Sequence, residues 1–322
     1  MDDAAPTDPL SDVLRLVRVE GALFSRAACA RPWGVSTRGA SGGIFHVVLR
    51  GQGLATALDS EGHALSSASF GAGDLLVLPH GHAHLLVDAP GSAATWIRDL
   101  PVAPGEDGLP VVRAGMGEPF DTELLCGTLR FGEEGRALLL PHLPPLLHTP
   151  AQGALGGWLD ATVRQLADEV RRREPGGELV IARLAEILFV QAVRAWTRRP
   201  TGVGPGWVQA LGDPALARAL ALLHGAPAHP WSVEDLARRA GLSRSVFYDR
   251  FTERVGEPPA AYLLRWRMTV ARQALRDPRL PIALVAQRVG YGSEAAFNRA
   301  FKRAVGVPPA AWRRGAQAAP PD

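Results

Sequence analysis

The sequence is poor in lysine, in cysteine and in long apolar segments, and each shortage excludes a class of protein. Lys302 is the one lysine among 35 Lys and Arg residues, so arginine supplies nearly all of the positive charge. The two cysteines, Cys29 and Cys126, are too few for a disulfide framework, and we expect a reducing, cytoplasmic environment. The most apolar stretch, residues 179–196, is interrupted by charged side chains, and the acidic residues 1–12 lack the apolar core of a signal peptide. We therefore expect no membrane association.

The charge is distributed unevenly along a chain whose composition is otherwise that of a folded protein. A length of 322 residues with 47% hydrophobic residues fits two or three domains and excludes a disordered chain. From residue 214 to the end there are 17 Lys and Arg against 8 Asp and Glu, a net charge of +9. The preceding 213 residues carry 18 Lys and Arg against 24 Asp and Glu, a net charge of −6. A basic last third predicts a polyanionic partner for that part alone.

The periodicity of apolar residues changes along the chain from that of strands to that of helices. Residues 10–100 alternate short apolar runs with Gly-rich turns and are predicted to form strands. Residues 101–150 are rich in Pro and Gly, with one predicted strand at 123–131. Two helices are predicted between residues 155 and 197, and the second of them is apolar over most of its circumference.

The last third contains a degenerate repeat of about 50 residues. Residues 255–262 (VGEPPAAY) recur as residues 305–312 (VGVPPAAW). Two copies are too few for a solenoid, which needs at least three stacked units. We therefore interpret the repeat as two copies of a small binding unit.

Each copy has the pattern of a helix, a tight turn and a second helix. In the first copy Ser232 is a predicted N-cap, Gly241 supplies the positive φ of the turn, and Ser243 caps the second helix. Gly290 and Ser293 hold the corresponding positions in the second copy. The predicted core side of the second helix in the first copy is Val246, Phe247 and Phe251. This pattern is typical of helix-turn-helix motifs.

A single helix is predicted between the two motifs. Residues 259–276 would rise about 27 Å. That length would hold two recognition helices roughly one duplex turn apart, as binding to successive major grooves on one face of DNA requires.

Residues 213–314 resemble the DNA-binding domain of the AraC/XylS transcription regulators. The second copy, from Ala286 through Gly290 and Phe297 to Pro308, matches the signature of that family closely. The resemblance implies that both recognition helices enter the major groove of double-stranded promoter DNA. It also implies a transcriptional regulator, with RNA polymerase as a further candidate partner. The apolar second helix between residues 155 and 197 predicts a homodimer, and packing of that helix on its own barrel is the alternative.

The resemblance places ten residues on the DNA side. Those expected to face bases are Ser245, Tyr248, Asp249, Ala295 and Arg299, with Arg299 as the candidate for bidentate guanine contact. Those expected at phosphates are Ser243, Arg244, Ser293 and Lys302, and Asn298 also lies on the outer face. Asp249 could accept from a cytosine amine or pair with a neighbouring arginine, and we favour the pairing.

The segment 73–84 has the spacing G-x5-P-x-G-x2-H, which resembles the second motif of cupin barrels. The first motif of metal-binding cupins supplies two His and a Glu, whereas residues 45–53 offer His46 alone. We therefore expect no metal, no cofactor and no catalytic residue. His46 and His84, together with His80 or His82, form a candidate effector pocket that could polarise an effector or still bind a metal, whereas ordinary turn and core histidines are the interpretation that we favour.

The two cysteines fall in the same region and leave two interpretations open. Free cysteines are mostly buried small hydrophobes. A redox switch would need Cys29 or Cys126 to be exposed, with a lowered pKa and a partner within reach. The sequence does not show whether the two lie close together.

We predict a multidomain α+β protein with an N-terminal cupin-like β-barrel, a helical dimerisation segment and a C-terminal all-α tandem helix-turn-helix domain. The predicted boundaries are 8–150 for the sensor, 151–198 for the dimerisation segment, 199–212 for a linker and 213–314 for the DNA-binding domain, with motifs at about 233–254 and 282–304. The predicted function is regulation of transcription by a small-molecule or redox signal. The alternatives are a metal-dependent cupin enzyme fused to a DNA-binding module, and an architectural DNA binder without an effector.

Overall fold

The computed structural model describes residues 8–16, 19–106, 108–151, 156–172, 174–198 and 206–318. The chain folds into two compact units. Residues 18–201 form a strand-rich unit, and residues 1–17 together with 202–322 form a helical unit.

The strand-rich unit contains twelve strands within the described residues. They are β1 (Val19–Cys29), β2 (Gly34–Thr37), β3 (Gly43–Arg50), β4 (Gln52–Leu58), β5 (Ala64–Gly71), β6 (Leu75–Leu78), β7 (Ala83–Val87), β8 (Thr95–Trp96), β9 (Val102–Pro104), β10 (Pro110–Ala114), β11 (Thr122–Phe131) and β12 (Leu147–Thr149).

These strands form two sheets rather than one continuous barrel. One sheet has the order β12-β6-β3-β11-β1-β10-β9, and the other has the order β5-β4-β7-β2-β8. Inward-facing residues of both sheets, among them Val48, Leu78, Leu86 and Leu124, form one apolar core. The cupin-like prediction is therefore met by two sheets that enclose a shared core.

The region between 101 and 150 is more regular than the sequence indicated. Besides the expected β11 it contains β9, β10 and β12, and also a short helix, α2 (Glu133–Leu138). The added strands are only three to five residues long. Such short strands give too little alternation of apolar and polar residues to be recognised among Pro and Gly.

Two long helices, α3 (Gly156–Arg172) and α4 (Gly177–Thr197), complete this unit. Helix α4 lies on the seven-stranded sheet, where Phe189 meets Phe131 with ring centroids 5.1 Å apart. Gly21 permits this close approach, since a Cβ there would lie 2.3 Å from the Cβ of Ala185. The opposite side of α4 leaves Val180 and Ile187 exposed, so the sheet covers one face of this apolar helix.

The helical unit is built from nine helices within the described residues. They are α1 (Pro9–Leu16), α5 (Trp207–Ala210), α6 (Pro214–Gly225), α7 (Val233–Ala240), α8 (Arg244–Val255), α9 (Pro259–Leu275), α10 (Ile282–Arg288), α11 (Glu294–Val305) and α12 (Pro309–Ala318).

Two segments of this unit differ from the predicted boundaries. Helix α1 packs against α6 and buries Leu10 and Val13, although the sensor domain was expected to begin at residue 8. The predicted linker extended to residue 212, but α5 lies inside it and its Trp207 is buried. Residues 199–205 of that linker lie outside the described residues. A buried tryptophan so close to a Gly- and Pro-rich segment is a tertiary feature that composition alone does not reveal.

The two helix-turn-helix motifs and their caps are confirmed. The Oγ atoms of Ser243 and Ser293 accept hydrogen bonds from the backbone N–H groups of Val246 and Ala296 at 3.4 and 3.2 Å. Gly241 and Gly290 adopt φ values of +74° and +84°. Phe247 and Phe251 are fully buried, whereas Val246, expected in the core, is half exposed.

No helix in the described parts of the chain combines the length and the hydropathy that crossing a bilayer requires.

Candidate nucleic-acid interface and buried histidine cluster

Helix α8 presents a polar face away from its buried phenylalanines. Ser243, Arg244, Ser245, Tyr248 and Asp249 are all exposed. The last four of these line an open groove of about 570 Å³ together with Val233 at the start of α7. The N-cap role of Ser243 uses only its oxygen as an acceptor, so its O–H can still donate to a phosphate.

Asp249 does not make the arginine pair that we favoured from the sequence. Within the described residues its carboxylate forms no ion pair, and Arg250 beside it binds Asp213 at 2.6 Å instead. The Asp249 side chain is therefore available to accept a hydrogen bond from outside the protein.

Helix α11 repeats this arrangement with more positive charge. Ser293, Ala295, Arg299 and Lys302 are exposed, while Asn298 is half buried. Phe297 and Phe301 anchor the opposite side of the helix and are fully buried.

Three cations on the outer faces of the two recognition helices have no acidic partner among the described residues. Arg244, Arg299 and Lys302 form no ion pair with a carboxylate in the part of the chain that the structure describes. Because no carboxylate neutralises these side chains, their positive charge is available to bind a polyanion.

A second cluster, which we call the histidine cluster, lies in the core of the strand-rich unit. It consists of Thr37, His46, His84 and Cys126. His46 Nε2 lies 3.0 Å from His84 Nε2, and His46 Nδ1 lies 3.1 Å from Cys126 Sγ. His84 Nδ1 lies 3.1 Å from the carbonyl of His82 and 2.9 Å from Thr37 Oγ1.

These contacts fix the tautomers of both imidazoles. A carbonyl only accepts, so His84 Nδ1 carries the proton and His84 Nε2 accepts from His46 Nε2–H. His46 Nδ1 is then the acceptor for the thiol of Cys126. One proton on each ring satisfies every contact. A second proton on His84 would set its Nε2–H against the Nε2–H of His46, and a second proton on His46 would set its Nδ1–H against the thiol S–H of Cys126.

Burial keeps this cluster uncharged. Desolvation lowers the pKa of His84 to about 4 and, with the charge of His84 as a lesser cause, lowers the pKa of His46 well below its usual value. Desolvation also raises the pKa of Cys126 and of Cys29 to about 12. Both side chains are therefore thiols at neutral pH, which slows their reaction as nucleophiles.

The histidine cluster borders an enclosed cavity of about 20 Å³. Both cysteines and the indole of Trp33 also line it, and Trp33 Nε1 is buried without a hydrogen-bond partner. A volume of this size holds about one water molecule. An organic effector does not fit it in this conformation.

Two of the four histidines expected in an effector pocket lie elsewhere. His80 Nε2 contacts the carbonyl of Leu143 at 3.0 Å, and the His80 and His82 rings lie tilted to each other with centroids 5.2 Å apart. Neither lines the cavity. Thr37 in β2 and Trp33 just before that strand were not predicted as site residues.

The two cysteines share the cavity but are too far apart for a disulfide. In the β1–β11 ladder Cys29 pairs with Thr122, whereas Cys126 pairs with Ser25. Four residues along a strand separate the two positions by about 13 Å. A disulfide needs Cα atoms within about 7 Å, so a Cys29–Cys126 bond would require the ladder to break.

The cluster also lacks the arrangement of a cupin metal site. The two Nε2 atoms that would face a metal are bonded to each other. Among the described residues no group of three or more His, Cys, Asp or Glu side chains has the geometry to hold a metal ion.

The buried histidines predict that acid destabilises the strand-rich unit. The unfolded chain takes up protons as the pH falls through about 6.5, whereas folded His84 stays neutral until about pH 4. The stabilisation is therefore complete above pH 6.5 and declines below it, by about 2 kcal/mol between pH 6.5 and 5.0 for His84. Urea unfolding across this range measures the slope. His84→Gln should flatten it, and His63→Gln, at an exposed position, should not; equal slopes in all three proteins would contradict the assignment.

Comparisons with known proteins find similarity to both the N-terminal and the C-terminal part of the chain. A cupin family model matches residues 8–198, and a helix-turn-helix domain model matches residues 236–315. An AraC-like transcription regulator of Streptomyces lividans is 34% identical, over 95% of this chain and 98% of its own length. The HTH-type transcriptional regulator AlkR of Acinetobacter baylyi is 32% identical, over 84% of this chain and 87% of its own.

A solved structure resembles the C-terminal part. The DNA-binding domain of AdpA, in complex with a target DNA, is 34% identical and covers 33% of this chain and 95% of that chain, with a TM-score of 0.31. The match to the cupin model covers more than half of the chain, and the Streptomyces relative matches nearly its full length. The chain therefore belongs to the AraC-like transcription regulators, with an N-terminal cupin domain and a C-terminal helix-turn-helix domain that binds DNA.

Proposed function

We propose that this regulator binds its promoter through α8 and α11, placed in two successive major grooves. The observation that carries the proposal is the pair of capped helices with buried phenylalanines on one side and unpaired polar and cationic side chains on the other. The spacer α9, with 17 residues, rises about 26 Å. This length suits two helices spaced by about one duplex turn.

The proposed contacts are of two kinds, those to bases and those to phosphates. Arg299 donates to a guanine, and Ser245, Tyr248, Asp249, Ala295 and Asn298 face other bases. Arg244 and Lys302, with the O–H groups of Ser243 and Ser293, meet phosphates. Asp249, whose carboxylate forms no ion pair within the described residues, accepts from a cytosine amine.

Footprinting of the full-length chain upstream of its own gene tests this proposal. We expect two protected segments on one face of the duplex, with centres about one turn apart. Uniform protection without defined elements would support an architectural DNA binder instead and would contradict the proposal.

We further propose that α4 forms the interface of a homodimer. Its outer face carries Leu179, Val180 and Ile187, which are 61%, 37% and 42% exposed. Apolar side chains at helical spacing on a face that the sheet does not cover are suited to pack on the same face of a second copy.

A charge at the centre of this face should dissociate the dimer. We expect Ile187→Arg to raise the dimer dissociation constant at least about tenfold, because a buried guanidinium one turn from the like charge of Arg183 is costly. Sedimentation velocity over a concentration series measures it. Leu65→Arg, at an equally exposed leucine on β5 (44%), is the matched control and should leave the dimer intact. A wild-type monomer, or equal behaviour of the two variants, would contradict the proposal.

Binding of RNA polymerase to this regulator stays a prediction.

We also propose that the histidine cluster senses the signal and that the signal is a small reagent such as a peroxide. The cavity holds about one water molecule and the buried thiol of Cys126 is protonated at neutral pH, so we expect the reaction to be slow and to need local opening of the cavity. His46 Nδ1 is placed to accept the thiol proton of Cys126. Oxygen transfer from hydrogen peroxide to Sγ would give a sulfenic acid and release water. The bonded pair of Nε2 atoms favours this sensor over a metal-dependent enzyme.

Operator binding with and without hydrogen peroxide tests the sensor. We expect the reagent to change the affinity of the wild type but not that of Cys126→Ser. His80→Ala, outside the cavity, should respond like the wild type. An unresponsive wild type, or a Cys126→Ser variant that responds fully, would contradict the proposal.

A further inference from the structure

An arginine on the spacer helix joins the loop that leads into the first helix-turn-helix motif to the turn of the second motif. Arg267 lies in the middle of α9. Its Nε donates to the carbonyl of Pro227 at 2.6 Å, and its Nη2 donates to the carbonyl of His229 at 3.0 Å. Both carbonyls belong to the loop between α6 and α7, which leads into the first motif. We call these two hydrogen bonds the Arg267 bridge.

The loop held by the Arg267 bridge lies directly against the turn of the second motif. A Cβ added to Gly290 would lie 2.7 Å from the carbonyl oxygen of Ala228 and 2.9 Å from Arg267 Nη2. The turn at Gly290, the loop at Ala228 and the guanidinium of Arg267 are therefore in contact. The loop that leads into the first motif therefore meets the turn of the second motif, and the recognition helices take no part in this contact.

The corresponding turn of the first motif makes no such contact. Gly241 has nearly the same backbone conformation as Gly290, with φ +74° against +84°. Among the described residues, a Cβ on Gly241 would meet no atom within 4 Å, so the space beside that glycine is open. The close approach at Gly290 is therefore specific to the junction between the motifs and is not a general property of the repeat.

The Arg267 side chain makes both of its described hydrogen bonds at this junction. It is half buried, and burial lowers its pKa, while no carboxylate pairs with it in the described residues. A guanidinium presents its donors in a fixed planar fork, so two carbonyl acceptors set its orientation and hold the loop in one place. A lysine at this position would keep the charge but lose the fork.

We propose that Arg267 is a positioning residue that fixes the spacing between α8 and α11 and thereby the spacing of the two DNA elements. The inference rests on the proposed binding of both helices in successive grooves. Without the bridge, each motif could pivot on α9. One inserted base pair moves the second element by about 3.4 Å along the duplex, a shift that a fixed pair of helices does not follow.

Operators with altered spacing test this inference. The full-length wild type should bind the natural operator at least about tenfold more tightly than operators with one base pair inserted or removed between the elements. Arg267→Ala should bind the natural operator more weakly and discriminate less than about threefold among the three spacings. Its affinity for a duplex that carries one element alone should equal that of the wild type.

Three further measurements distinguish a positioning role of Arg267 from a contribution of its charge alone and from a direct phosphate contact. Arg267→Lys should recover only part of the discrimination, since full recovery would mean that charge and not the fork matters, which would overturn the inference. The salt slope of binding should be unchanged in Arg267→Ala, because a lost phosphate contact would lower it by about one. Gly290→Ala should relax the spacing preference, whereas Gly241→Ala, with the same positive φ and open space, should keep it.

Failure of the inference is distinguishable from failure of the proposed function. A wild type without preference for two elements over one would contradict tandem groove binding itself. A wild type that discriminates among spacings, with Arg267→Ala and Gly290→Ala variants that are folded and discriminate equally well, would overturn the role of Arg267 alone.

Discussion

Replacing Phe301 by alanine is expected to unfold the second helix-turn-helix motif and abolish binding to the operator. Phe301 is fully buried and lies in one apolar cluster with Met268, Val285 and Phe297. Removing a buried phenylalanine ring costs about 3–5 kcal/mol, because apolar burial is lost and a cavity remains. A loss of this size is a large part of the stability of a small domain.

Urea unfolding of the full-length chain, followed by circular dichroism, measures the effect. Val307→Ala is the matched control, since Val307 lies just beyond α11 and is 42% exposed. It should change the unfolding free energy by less than about 0.5 kcal/mol. Equal stabilities of the two variants would show that the packing around Phe301 is not as described.

Raising the salt concentration from 50 to 200 mM is expected to weaken operator binding by about 10³- to 10⁵-fold if six to ten phosphates are contacted. The reason is the release of counterions from DNA by the unpaired cations of a C-terminal third with net charge +9. Fluorescence anisotropy over a salt series gives the slope. A slope near zero would mean that the basic surface does not meet phosphates.

The sequence predicted the helical unit well where local rules decide the structure. Ser243 and Ser293 cap their helices as expected, and Gly241 and Gly290 end theirs with positive φ. The error at Val246 has a geometric cause. The buried residues of α8 are Phe247, Phe251 and Val255, at intervals of four, and Val246 lies 100° away from that narrow stripe.

Contacts between residues that lie far apart along the chain could not be predicted from the sequence. The His46–Cys126 contact joins residues 80 positions apart and depends on the register of β3 with β11. The Arg267 bridge spans about 40 positions and depends on how a loop folds back on α9. Neither register nor loop placement follows from local periodicity, because many pairings satisfy the same pattern.

The separation of base contacts from phosphate contacts on α11 is the most direct test of the proposed groove binding. Operator and scrambled DNA are titrated at several salt concentrations with the wild type, Arg299→Ala and Lys302→Ala. We predict that Arg299→Ala costs about 1–3 kcal/mol on the operator alone and relaxes the preference at one base pair. Lys302→Ala should weaken both DNAs equally and lower the salt slope by about one. If Arg299→Ala weakens both DNAs by the same factor, Arg299 contacts phosphate and the placement of α11 in the groove is contradicted.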